Sequence, residues 1–219
     1  FNQFAVYRFP ALVGGIRDNI ERPLDYYQQN LLMGTNLLRG AINAKVPRFI
    51  GILSTCIYPD WVDSYPMTEE DLHLGPPTPT NFGYAYAKRA LAVHIDMANQ
   101  QLGTKYNYLI PCNLYGEYDK FDEQSSHYVS ALLMKILQAD KQVELMGTGR
   151  PLRQFMHARD LARVIKEVVD KDITESFNVA SNECYSIKRI AEIALTATQH
   201  ENLILKFDHS KPDGQYRKD

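Results

Sequence analysis

The chain has 219 residues, 45% of them apolar, and a formal net charge of −2. That length holds one sizeable domain or two small ones, and the near-neutral balance gives no footing for a nucleic-acid or membrane-surface partner. Three cysteines without a Cys-x-x-Cys pair, and no apolar run near the roughly 18–20 residues of a membrane span, argue against a disulfide framework, a zinc site and a spanning helix, and favour a reducing, cytoplasmic setting.

In chain order, "FAVYRF" (4–9) reads as a short strand, followed by a loop with Gly14 and Gly15. The chain opens in mid-pattern, so its native start is expected to lie upstream. Residues 23–45 place Tyr26, Leu31, Leu32, Leu37, Leu38 and Ile42 at helical spacing, with Pro23 suited to the first turn. The run 48–53 is a strand that ends in Ser54, Thr55 and Cys56. A proline-rich loop (57–80) leads to a helix over 81–103 that Gly103 terminates. A strand follows at 105–116, then a helix at 127–139, a strand at 142–147, and a short strand from 153 running into a helix at about 158–170. The pattern closes with a strand at 176–181, a helix at 186–199 and a strand at 203–208. This alternation predicts an α/β fold with a mostly parallel sheet covered on both faces. Ligands of such sheets bind at the carboxyl ends of the strands, where Ser54–Cys56 and Cys112–Asn113 fall.

Two features combine there. One is the Ser-Thr-Cys strand end. The other is "YAYAK", Tyr84-x-x-x-Lys88, whose two ends share a helix face. A lysine ammonium beside a tyrosine hydroxyl favours the phenolate, which is expected to lower the Tyr84 pKa. Tyr84 can then pass a proton to a carbonyl oxygen that a serine hydroxyl also holds.

Ser54, Tyr84 and Lys88 resemble the triad of the extended short-chain dehydrogenase/reductases. The words "VGGI" (13–16), "STCIYP" (54–59), "NFGYAYAKR" (81–89), "NLYG" (113–116), "GTGRPLRQF" (147–155) and "KPDGQYRK" (211–218) resemble, in order and over essentially the whole chain, the GDP-L-fucose synthase family. The resemblance implies a Rossmann-type sheet, here without its opening strands, and a smaller substrate-binding α/β part. It divides the chain into a partial dinucleotide-binding domain at 1–115 and a mainly substrate-binding part at 116–219, with 153–181 returning to the sheet. It also implies NADPH-dependent 3,5-epimerisation and 4-reduction of GDP-4-keto-6-deoxy-D-mannose, with NADP(H) as cofactor, no metal, and a homodimer formed through the helices at 23–45 and 81–103.

Residue by residue, the resemblance makes Ser54, Tyr84, Lys88, Cys56 and His127 (in "SSHYVSALL") catalytic. Ser54 and Tyr84 would hold and protonate the keto oxygen. Cys56 and His127 would move protons on opposite faces of the sugar, as a thiol of pKa about 8.5 and an imidazole of about 6.5 can near neutral pH. Leu53, Ser54, Lys88, Pro111, Asn113, Leu114 and His127 would contact the cofactor, and Lys135, Met146, Arg153, Asp213 and Lys218 the nucleotide sugar. His94 and His157 read as structural, Cys184 as incidental, and the acidic stretch 118–124 as solvated.

The sequence departs from the family in several places. No Gly-x-x-Gly-x-x-Gly turn occurs near its start, Cys112 stands where threonine is common, Met146 stands where tryptophan is common, and Arg8 and Pro10 replace the usual histidine and alanine. Three readings therefore stand side by side: the epimerase/reductase, another nucleotide-sugar enzyme of the same fold, and a non-catalytic scaffold derived from one. A dehydratase would carry an acidic pair after the threonine, whereas Thr55 is followed by Cys56 and Ile57.

Overall fold

The structure is a computed structural model that describes residues 11–122 and 126–219. The strand expected over 4–9, with Arg8 and Pro10, lies outside the described residues. Helices α1 (Ile16–Glu21) and α2 (Pro23–Asn43) lead into β1 (Ile50–Ile52), and a 3-10 turn at Thr55–Ile57 opens the long connection to α3 (Phe82–Leu102). There follow β2 (Asn107–Pro111), β3 (Asn113–Tyr115), α4 (Tyr128–Gln138), β4 (Gln142–Met146), β5 (Leu152–His157) and α5 (Ala158–Asp170). The chain continues through β6 (Phe177–Val179), β7 (Cys184–Ser186), α6 (Ile187–Ala197), β8 (Ile204–Asp208) and β9 (Arg217–Lys218).

The parallel order β1-β2-β6 forms the central sheet, with β2 buried along its whole length. Alternation along β2 supplies two cores. Tyr108 and Ile110 join Leu38, Leu53, Ile57 and Ile95 beneath α2 and α3. Leu109 joins Val179, Leu161, Ile165 and Val168 beneath α5. The sheet is thus covered on both faces, as its nearly continuous apolar strands require. A third core (Leu132, Ile136, Val143, Leu145, Ala191, Leu195) fills the part built from α4, α6 and the parallel pair β4–β8. Between them β5 pairs in parallel with β3 and β9 and antiparallel with β7. The result is an α/β fold with mostly parallel sheets.

Several boundaries differ from the sequence expectation. The strand expected over 105–116 divides at Cys112: β2 joins the central sheet and β3 joins β5. Pro111 brings no backbone N–H to continue the ladder, and the Asn113 amide donates to the Gln154 carbonyl at 2.8 Å, drawing the chain toward β5. The loop around Gly14 and Gly15 leads directly into α1, which is too short to show a period. Its Asn19 folds back to donate to the carbonyls of Gly14 and Gly15, each at 3.0 Å. Strands β7 and β9 have three and two residues, too few for alternation to show. Gly103 ends α3 in the left-handed conformation at φ 65°, as its position predicts.

Candidate active site

The polar end of β1 is a cap. Ser54 is extended (φ −164°, ψ 148°), and its Oγ accepts from the Cys56 amide at 3.3 Å, starting the Thr55–Ile57 turn. The Cys56 side chain is half-buried. Arg89 fixes the far side of the turn. Its Nε donates to the Ile57 carbonyl at 2.8 Å, Nη2 donates to the same oxygen, and Nη1 donates to the Gly75 carbonyl at 2.9 Å. The helix that carries Tyr84 and Lys88 is therefore tied to the turn that carries Ser54 and Cys56. Arg89 stands in "YAYAKR" with no role assigned from sequence. The signal was a second cation directly after the lysine, but its target, a backbone carbonyl, has no sequence signature.

Tyr84 lies in the first turn of α3. Burial, reinforced by nearby Cys56, pushes its phenol well above the usual tyrosine range, against a hydrogen bond with Ser54 that favours the phenolate. The expected lowering by Lys88 is thus reversed. The Lys88 ammonium lies 5.9 Å from the ring centroid and donates instead to the Ile52 carbonyl at 3.2 Å. Lys88 is itself 8% exposed, and burial pushes its pKa down to about 8. An ammonium aimed at a backbone oxygen, and 5.9 Å from the ring centroid, has little hold on the phenol hydroxyl. Tyr84 rests as a neutral acid.

Cys56 is treated in the opposite way. Burial works against its thiolate, but Lys218, Ser54 and Arg153 outweigh it and hold the thiol below its ordinary value. Lys218 Nζ donates to Cys56 Sγ at 2.8 Å, and Lys218 is only 6% exposed. Register explains how residues so distant in sequence meet: β9 lies beside β5 with Lys218 opposite Arg153. Gln215 anchors the approach by donating to the carbonyls of Pro59 (2.9 Å) and Asp60 (3.1 Å). Arg217 pairs with Asp219 at 2.6 Å and lies over the Tyr65 ring, and the Met67 amide donates to the Asp219 carbonyl at 2.7 Å.

The remaining expected residues fall into two groups. Leu53 and Pro111 are buried at the ends of β1 and β2, and Leu114 packs on the core beneath α5. Asn113 spends its amide on Gln154, as described. His127 is the N-terminal cap residue of α4. Its half-exposed ring faces Asp119 at 3.5 Å, and no hydrogen bond or ion pair among the described residues joins it to Cys56 or Tyr84. Lys135 donates to the Glu144 carbonyl at 2.7 Å, and Met146 is 45% exposed at the end of β4. Asp213 accepts from the Thr148 amide at 2.6 Å and from its hydroxyl at 2.7 Å, holding the "GTG" turn. Arg153 donates to the carbonyls of Leu152 and Gln215. The structure therefore gathers Ser54, Cys56, Tyr84, Arg153 and Lys218 into one constellation, with Lys88 beside it. His157 caps α5, its Nδ1 accepting from the Arg159 amide at 3.1 Å. Cys112 is buried with its thiol pushed up, and burial pushes Cys184 up to about 11.

Such a set can hold a carbonyl oxygen with two hydroxyls while a sulfur of opposite protonation preference exchanges protons on the adjacent carbon. It also fits the ribose end of a dinucleotide. The Lys88 ammonium spends one hydrogen bond on Ile52, and a buried amine with N–H to spare suits hydroxyl oxygens. At the head of α3 the Asn81 Oδ1 is buried with no hydrogen-bond partner among the described residues, an acceptor that a hydroxyl-bearing ligand would satisfy.

Comparison with known proteins agrees. The model of the NAD dependent epimerase/dehydratase family matches residues 3–180. The chain is 34% identical to a probable GDP-L-fucose synthase of Drosophila melanogaster, over 97% of this chain and 70% of that protein. It is 35% identical to a GDP-L-colitose synthase of Yersinia pseudotuberculosis, over 95% and 69%. A crystal structure of a GDP-L-fucose synthetase from Naegleria fowleri superimposes with a TM-score of 0.81 at 32% identity, covering 95% of this chain and 65% of that one. A second structure of that synthetase, bound to NADP, superimposes equally well, with a TM-score of 0.81. The chain thus spans about two thirds of the length of these relatives, between 65% and 70%. By sequence and fold it belongs to the NAD dependent epimerase/dehydratase family and, within it, to the GDP-L-fucose synthases.

Proposed function

We propose that this chain carries the catalytic centre of an NADPH-dependent enzyme that epimerises carbons 3 and 5 of GDP-4-keto-6-deoxy-D-mannose and reduces carbon 4, giving GDP-L-fucose. The observation that carries the reading is a split within one constellation. Tyr84 is kept protonated by burial, while Cys56 is drawn toward its thiolate by Lys218 and Arg153. Groups whose surroundings push their pKa values apart are suited to separate acid and base roles.

Ser54 and Tyr84 hold the 4-keto oxygen and stabilise the enolate that forms when an adjacent C–H is broken. Cys56 exchanges that proton. His127 supplies or accepts a proton on the opposite face, its ring oriented by Asp119, which also accepts from the Ser130 hydroxyl at 3.1 Å. NADPH, when bound, would supply the hydride to carbon 4. Tyr84 would give its proton to the oxygen, and Lys88, with Leu53, Pro111, Asn113 and Leu114 at the strand ends, would hold the nicotinamide–ribose end. Arg153 offers positive charge to the pyrophosphate, Lys218 stays with Cys56, where its Nζ donates to the sulfur, and Lys135, Met146 and Asp213 line the nucleotide side. In this reading 1–115 is chiefly the cofactor side and 116–219 the substrate side; β6 pairing with β2 supports the return of the end of 153–181 to the central sheet, while β5 at its start pairs with β3, β7 and β9.

The working unit in this reading is a cytoplasmic homodimer. Leu24 and Leu32 of α2 and Phe82 and Met97 of α3 are exposed apolar side chains on neighbouring helices, surface of the kind that a second copy would cover. No helix among the described residues is long and apolar enough to cross a membrane.

A second reading, another GDP-sugar epimerase/reductase, is favoured by Met146 and by the similarity to the colitose synthase. Incubation with GDP-4-keto-6-deoxy-D-mannose in deuterated water tests the main one. Deuterium at carbons 3 and 5, and GDP-L-fucose once NADPH is added, is the expected result. No exchange by a folded chain would overturn it, and exchange with a different reduced product would favour the second reading.

A further inference from the structure

Lys218 is a buried lysine whose ammonium points at sulfur, not at solvent or at a carboxylate. Three independent features hold it there: the pairing of β9 with β5, the two hydrogen bonds of Gln215 to the 59–60 backbone, and the Met67–Asp219 backbone bond. Cys56 sits on a turn fixed from the other side by Arg89 and capped by Ser54. The charged and titratable groups that face it are Lys218 from β9, Arg153 from β5 and Tyr84 from α3, with the Ser54 hydroxyl alongside. Two of these are cations, and none is a carboxylate.

We propose that Lys218 is the standing counter-cation of Cys56, so that the side chain rests as a thiolate and serves as the base of the epimerisation while Lys218 acts as its positioning residue. The base role rests on the reaction proposed above; the resting thiolate does not. In the proton-transfer step the sulfur lone pair takes the proton alpha to the ketone. The C–H electron pair moves into the enolate, whose oxygen faces Ser54 and Tyr84, and Cys56 becomes a neutral thiol. An acid on the opposite face reprotonates the carbon, and the thiol returns its proton to water. Lys218 keeps its own proton throughout. The direction of the Cys56 pKa agrees with this arrangement.

The test uses the whole 219-residue chain without substrate or cofactor, so it reads the resting state of Cys56 alone, while deuterium exchange at carbons 3 and 5 reads the proposed reaction separately. Iodoacetamide labelling is followed by mass spectrometry from pH 5 to 10, with Cys112 and Cys184 as internal references. Cys56 is expected to reach half its maximal rate well below the ordinary thiol value of about 8.5. Lys218→Met moves that midpoint upward and slows labelling at pH 6.5 about tenfold or more, and Lys218→Arg retains most of the wild-type profile. A lysine that merely braced β9 would leave the Cys56 midpoint where it was, and that result overturns the proposal. If Lys218→Met fails to fold, thiolate absorbance at 240 nm decides it, taken as the difference between the wild-type chain and Cys56→Ser. A midpoint at or above the ordinary thiol value then overturns the proposal.

Discussion

Arg89 and Ile57 are joined by a fork: two guanidinium nitrogens of Arg89 donate to the one Ile57 carbonyl, Nε at 2.8 Å, while Nη1 reaches Gly75 at 2.9 Å. A rigid planar donor set suits this task, and lysine cannot reproduce it. Arg89→Met leaves the Ile57 and Gly75 carbonyls without these donors, which is expected to cost about 2–6 kcal/mol at roughly 1–3 kcal/mol per unsatisfied group. Arg89→Lys should keep most of the fold yet lower deuterium exchange at carbons 3 and 5, because the Cys56 turn is no longer held against α3. Unfolding midpoints and exchange rates matching wild type in both variants would show that the fork positions nothing.

Cys56 and Tyr84 are assigned to different proton transfers, so their removal should separate the two half-reactions. Cys56→Ser is expected to slow exchange at carbons 3 and 5 by roughly 10²–10⁴-fold, the usual scale of general acid–base catalysis, while leaving reduction of a ready-epimerised ketone measurable. Tyr84→Phe should remove NADPH oxidation and retain part of the exchange. Equal loss of both steps in both folded variants would contradict the division.

Lys88 makes a stability prediction with a definite sign. Its pKa falls from 10.5 to about 8 through burial. Between those values the unfolded chain binds a proton that the folded chain lacks, so stability rises with pH across that window. Below it the burial penalty is fully present, on the order of 3 kcal/mol at most. Lys88→Met should therefore resist urea better than wild type at pH 7, in the absence of cofactor, and the advantage should shrink toward pH 10.5. Activity should be lost at the same time. An advantage independent of pH would rule out the charge of Lys88 as its cause.

Gly83, next to Tyr84, marks a close approach of the two long helices. A Cβ there would lie 2.3 Å from the Pro23 carbonyl oxygen, a backbone atom that cannot swing aside. Gly83→Ala should push the head of α3 from α2 and cost about 1–3 kcal/mol, the range for overpacking, although alanine is the better helix former. An unchanged or raised thermal midpoint would mean that the helix ends slide apart freely.

Much of this was legible from the residues. The long helices α2 and α3 follow from periodicity, with Pro23 opening one and Gly103 closing the other. The Ser-Thr-Cys strand end and Tyr84-x-x-x-Lys88 mark the same cleft because a parallel sheet delivers its strand ends to one edge. What was misjudged concerns electrostatics. Sequence spacing puts Lys88 one turn from Tyr84, but it is burial that weakens Lys88 as a cation and pushes the phenol upward.

The sequence by itself determined the α/β order, the family and the chemical alphabet of the site, because periodicity, caps and short motifs are local and survive in one dimension. Only the tertiary structure decided which charges meet. Lys218 reaches Cys56 across 162 positions through the register of a two-residue strand, and Arg89 holds a backbone carbonyl that no side-chain pattern announces. Protonation depends on desolvation and on the nearest opposite charge, and both are properties of packing in three dimensions.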